Sequence, residues 1–150
     1  MDFQIIIQLL LAAVLGGLMG LEREYKRKEA GLRTYSLVCL GAAFFTIISF
    51  EIFRSLNNQS GIDFDPARIV GQIVLGIGFL GAGLIIFRGS HIEGLTTAAG
   101  LWVAAAVGAA IGAKLYFPAV FVSFLAIGIL AGLRLVEEKA FGKIHQEPEE

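Results

Sequence analysis

At 150 residues, with 56% hydrophobic content, a mean hydropathy of +0.75 and 19 glycines, the chain is too apolar for a soluble domain of its size and too glycine-rich for a soluble helical bundle. A net charge of -1 carries no sign of the basic stripe used to bind nucleic acid, and the lone Cys39, inside an apolar run, leaves no intrachain disulfide. An integral membrane protein remains.

Five segments reach the roughly 20 residues that a helix needs to cross about 30 Å of hydrocarbon: Phe3 to Leu21, Leu32 to Phe53, Ile69 to Phe87, Leu95 to Ile111 and Leu115 to Val136. Their apolar character runs all round, without the period-2 alternation of a β-barrel. The expected fold is all-α, a polytopic bundle of five transmembrane helices over residues 1–136, with a short tail at 137–150. Lys and Arg in the connections divide nine to three: Arg23, Lys26, Arg27, Lys28, Arg33, Arg88, Arg134, Lys139 and Lys143 against Arg54, Arg68 and Lys114. By the positive-inside rule the N-terminus lies outside and the C-terminus in the cytoplasm.

The first segment opens Met-Asp-Phe-Gln, without the basic start of a secretory signal, so it is expected to remain as a helix. Gln4 and Gln8 lie one turn apart, followed by a ladder of small residues, Ala12, Gly16 and Gly20. Small residues four apart let two helix backbones approach closely, a main source of packing energy where the solvent is itself apolar. A polar island, GLEREYKRKEAGLRT from Gly20 to Thr34, follows as a membrane-surface loop.

The second helix begins near Gly31-Leu32-Arg33-Thr34. Its outer loop contains Asn58-Gln59-Ser60, formally a glycosylation acceptor but in so short a connection read as ordinary loop polarity. Asp65-Pro66 supplies an N-cap and a first-turn proline for the third helix. That helix contains GIGFLGAG, and the run satisfies G-x-G-x-x-G. A dinucleotide site requires a strand before it and a helix after it in a soluble βαβ unit, whereas this match sits inside a membrane span. Gly76, Gly78, Gly81 and Gly83 are therefore read as a helix contact face, or as a weakened helix lining a cavity. In the fourth helix Gly100, Ala104, Gly108 and Gly112 repeat every four residues, with Trp102 on another face; the fifth has Pro118 in its first turn and Gly128-x-x-x-Gly132 beyond. These ridges serve packing within the chain, and one left over would make a homodimer. An echo between EAGLRT at Glu29 and EGLTT at Glu93 suggests that helices one to two and three to four are copies of one hairpin.

In this topology the cytoplasmic helix ends collect Glu22, Arg33, Thr34, Thr96 and Thr97, and the midplane collects no charge. Two helix N-termini point their positive dipole ends at that surface, where a carboxylate or a bound anion is favoured. These five residues are the candidate polar cluster, with Glu22 as the candidate ligand for a metal ion such as Mg²⁺; no cofactor is expected. Arg23, Lys26 to Lys28 and Arg134 read as headgroup anchors, and His91 as a solvated turn residue.

GLERE at Gly20, AGLRT at Ala30, GIGFLGAG at Gly76 and GLTTAA-x-LW at Gly94 resemble, in order, the motifs of the MgtC/SapB family of bacterial inner-membrane proteins. The resemblance implies a five-helix membrane domain and a role in adaptation to low magnesium and, in pathogens, survival inside host cells. Some members act on other membrane machines, including ATP synthase. It carries over Glu22, Arg33, Thr34, Gly81, Gly83, Thr96, Thr97 and Trp102 as functional positions. Several members add a soluble C-terminal domain, whereas here EEKAFGKIHQEPEE follows the last helix.

Two readings follow. In one, the chain is a non-enzymatic modulator that docks other complexes in the bilayer, such as ATP synthase or cation ATPases. In the other, an oligomer conducts or carries Mg²⁺ or another ion, against which the uncharged midplane counts, since Gln8, Thr46, Ser49 and Gln72 make only a thin polar stripe. An enzyme is the weakest reading, because neither a nucleophile with a nearby base nor a metal-ligand cluster can be made out.

Overall fold

The computed structural model describes residues 2–56 and 64–133. Within them α1 (Asp2–Tyr25), α2 (Leu32–Leu56), α3 (Pro66–Leu84), α4 (Leu95–Gly112) and α5 (Tyr116–Gly128) form the expected helices; the last is continued by a π-helical turn at Ile129–Leu133. All five are long and apolar enough to span a membrane. The Asn58-Gln59-Ser60 acceptor, Arg134 and the 137–150 tail lie outside the described residues.

Local chemistry sets the helix ends. Asp65 caps α3, its Oδ1 accepting from the Ala67 N–H at 2.8 Å, and Pro66 fills the first helical position, where a missing N–H costs nothing. So α3 starts three residues before the expected Ile69. It also stops three before the expected Phe87, because Ile86–Arg88 (β1) leaves the helix to pair antiparallel with His91–Glu93 (β2). Gly89, at φ +61, makes the two-residue turn that such a ribbon requires. His91 is thus an exposed ribbon residue rather than part of a plain turn, and this ribbon is the exception to an otherwise helical fold. Gly94, at φ +87, is the N-cap of α4, and a Cβ there would run into the Leu84 carbonyl.

The centre of the bundle is the parallel pair α2 and α4. α1 and α3 each pack against both, and α5 lies against α4 and α1. The glycine positions explain how closely the central helices meet. A Cβ at Gly16 would sit 2.6 Å from the Tyr35 carbonyl oxygen, one at Gly20 2.7 Å from that of Gly31, and one at Gly112 2.6 Å from that of Ala43. At Gly100 it would strike the Tyr35 hydroxyl, and at Gly108 the Cys39 carbonyl. Ala104, between them, is fully buried. Within the third-helix run, Gly81 alone meets a neighbour, with a Cβ there 3.5 Å from that of Ala98; Gly76, Gly78 and Gly83 have nothing within 4 Å. Trp102 is half exposed.

Gly108→Val and Gly112→Val should each destabilise the bundle by about 1–3 kcal/mol, the usual cost of forcing side-chain volume into a packed interface. Gly78→Ala should stay within about 1 kcal/mol of wild type, in the favourable direction that helix propensity dictates. Denaturant unfolding in mixed micelles, followed by circular dichroism, measures both.

Candidate functional site

The polar island folds over one end of the bundle, and its turn geometry decides which charges go where. At the end of α1 the Lys28 N–H donates to the Arg23 carbonyl at 3.0 Å and the Arg27 N–H to that of Glu24 at 3.0 Å, with Arg27 left-handed at φ 52. This is the Schellman arrangement, with arginine at the position where glycine is commonest. It folds the chain back sharply, so that Lys28 and Glu29 return over the N-terminus of α4. Glu29 Oε2 accepts from the Thr97 hydroxyl at 3.0 Å. Glu24 treats α2 in a similar way, its Oε2 accepting from the Leu32 N–H at 3.2 Å. Each positive helix end thus faces a carboxylate, as the dipole favours.

Glu22, the expected centre of the cluster, does neither. Its Oε2 accepts from Arg23 Nε at 2.6 Å, while Oε1 is buried without a hydrogen-bond partner among the described residues. Its candidate role as a metal ligand therefore meets a cation already in place. No three His, Cys, Asp or Glu side chains converge among the described residues. Arg23 is the larger surprise, because it is only 4% exposed and is no headgroup anchor. It lies seven residues after Gly16, two turns along the same packed face of α1, and that spacing was the signal available in the sequence.

Arg23, Arg27, Lys28, Glu29, Glu93, Thr96 and Thr97, with the π-helical end of α5, line a cleft of about 660 Å³. Thr97 is buried and Thr96 exposed; below them the Tyr35 hydroxyl donates to the Thr97 carbonyl at 3.2 Å, tying α2 to α4. Arg33 and Thr34 are exposed on α2 and do not line this cleft. Of the five candidate residues, then, Thr96 and Thr97 line the cleft, Glu22 reaches it through Arg23, and Arg33 and Thr34 face elsewhere. Chemically the cleft offers a buried guanidinium, two rim cations and two carboxylates, a set suited to gripping a polar segment or headgroup.

Hydrogen bonding from its own backbone N–H and from Thr97, together with the charges of Lys28 and Arg23, holds the Glu29 carboxyl below its usual value of 4.5. A depressed folded-state value means that ionised Glu29 stabilises the fold above the ordinary carboxylate range, and that this contribution vanishes as the pH falls through the lowered value. Wild type should melt roughly 1–4 °C above Glu29→Gln at neutral pH, an exposed-pair effect. The gap should close on acidification below 4.5; melting curves against pH read it directly.

The MgtC family model matches residues 9–139. The chain is 42% identical over 130 residues to "Putative magnesium transporter YhiD" of Escherichia coli (strain K12), covering 87% of this chain and 60% of that protein. It is 48% identical over 123 residues to "Protein MgtC" of Brucella abortus (strain 2308), covering 82% and 48%, and 43% identical over 129 residues to an uncharacterized protein of Synechocystis, covering 86% and 52%. The chain thus spans about half to three-fifths of the length of these curated relatives. No solved structure matches. With four motifs in order and a family match over most of its length, this chain is a multi-pass membrane protein that belongs to the MgtC family.

Proposed function

We infer that this chain serves magnesium homeostasis in the bacterial inner membrane as a non-enzymatic modulator, docking onto another membrane complex rather than carrying the ion. Relatives named MgtC and magnesium transporter supply the magnesium context. The observation that carries the modulator reading is the closed centre of the bundle. The polar cleft lies at one end, a cavity of about 120 Å³ near Gln4, Gln8 and Arg54 lies at the other, and between them the helices approach too closely to admit a methyl group at Gly100, Gly108 or Gly112. The polar stripe does not open a path either, since Gln72 faces the groove at the side of the bundle and the other three bond to backbone. Gln8 Nε2 donates to the Ile111 carbonyl at 2.8 Å, Thr46 to that of Ala42 at 2.8 Å and Ser49 to that of Pro66 at 3.1 Å, so these groups satisfy backbone rather than line a channel.

Docking uses the outward face of α3, where Gly71 and Gly78 lie seven residues apart beside an 81% exposed Phe79. A partner helix reaches a backbone there without meeting side chains. Ion-motive machines such as ATP synthase and cation ATPases are the partners proposed, with the polar cleft on the cytoplasmic side.

Purified protein in proteoliposomes should pass no Mg²⁺ above the lipid background, and flux that scales with protein would overturn the reading. In cells that depend on this chain for growth in low magnesium, Gly78→Leu should insert and fold as wild type yet fail to support growth. Normal growth of that variant would remove the α3 face from the docking surface.

A further inference from the structure

Arg33 and Thr34 stand apart from the cleft, and their position on α2 indicates another use. Leu37, Gly41 and Phe45 follow one another at four-residue intervals on one face of α2, and Arg33 stands one turn before Leu37. That face is one wall of a groove between α2 and α3, about 650 Å³ in volume, whose other wall includes Ile69, Gly76 and Leu80. Gly41 and Gly76 give it depth, because nothing lies within 4 Å of a Cβ added at either. From Ile69 to Leu80 the groove runs roughly 16 Å along α3, about half of a hydrocarbon core of about 30 Å. The groove is thus one leaflet deep and apolar apart from Gln72, with Arg33 one turn beyond its Leu37 end.

We propose that this groove holds one acyl chain of an anionic phospholipid whose phosphate is met by Arg33 and Thr34. Charge complementarity selects the headgroup. Arg33 is exposed and takes part in none of the ion pairs of the described residues, which are Arg23–Glu22, Arg54–Glu51 and Arg88–Glu93. The first turn of α2 adds to it: the Leu32 N–H goes to Glu24 and the Tyr35 N–H to the Gly31 carbonyl, while those of Arg33 and Thr34 have no acceptor among the described residues. Glu24 already occupies the Leu32 N–H, so the attraction for phosphate comes from the Arg33 guanidinium, with the Arg33 and Thr34 N–H groups as further donors. Length and polarity select the chain: a mostly apolar groove about one leaflet deep accepts a single file of methylene groups. This site is independent of the outward face of α3.

Native mass spectrometry of the intact chain tests it. Delipidated protein is offered phosphatidylglycerol or phosphatidylcholine of the same acyl composition in mixed micelles. Wild type should retain one phospholipid per chain and favour phosphatidylglycerol about fivefold, the preference expected from one basic residue near a phosphate. Arg33→Gln, at an exposed position, should bind both lipids equally, and Gly76→Leu, at a position with open space, should lose the bound lipid while keeping wild-type helicity. Three results would overturn the proposal: an unchanged headgroup preference in Arg33→Gln, undiminished retention in Gly76→Leu, or a lipid-free dimer that Gly76→Leu converts to monomer, which would give the groove to a second copy. Should Gly76→Leu fail to fold, Gly41→Leu fills the same groove from the opposite wall and the same retention decides.

Discussion

The seam where α2 lies against α4, with α1 closing over it, is the contact on which the rest of the molecule depends. Water offers no driving force between helices inside a bilayer, so association rests on dispersion and close backbone approach. Gly16 and Gly20 on α1 and Gly100, Gly108 and Gly112 on α4 remove side chains where the Tyr35–Thr46 stretch of α2 needs the space. Tyr35 is fully buried, seated over Gly100 with its hydroxyl on the Thr97 carbonyl. The hydrogen bond satisfies a polar atom that would otherwise be stranded in hydrocarbon.

That seam has two functional consequences. It shuts the axis of the single chain, leaving polar space at the ends and apolar grooves at the sides. It also fixes the N-termini of α2 and α4 side by side, so that one short loop serves both: Glu24 holds the start of α2 and Glu29 the start of α4. The cleft around Arg23 is a product of this shared capping. α3, by contrast, leaves most of its glycines in open space.

Number and type of helix were legible from hydropathy alone, because a bilayer permits so few solutions for a run of apolar residues. The α3 start was legible from Asp65-Pro66, since a cap is local chemistry. The α3 end was not. Ile86, Phe87 and Ile92 count as apolar in any window, and only the pairing across Gly89 turns them from helix into ribbon. Small-residue spacing made the α4 ridge the clearest packing signature in the chain, and a Cβ at Gly100, Gly108 or Gly112 would indeed meet α2, whereas the run from Gly76 to Gly83 mostly faces open space.

The candidate site divides in the same way. The sequence placed charges and helix N-termini at one end of the bundle, and of the five candidate residues only Thr96 and Thr97 line the cleft there. Which carboxylate meets which helix was decided by the left-handed turn at Arg27, which sends Glu29 across 68 positions to Thr97, and by the α1 face that buries Arg23. Periodicity along a helix is written in the chain. The azimuth at which two helices touch depends on every contact between them at once, and only the assembled bundle supplies it.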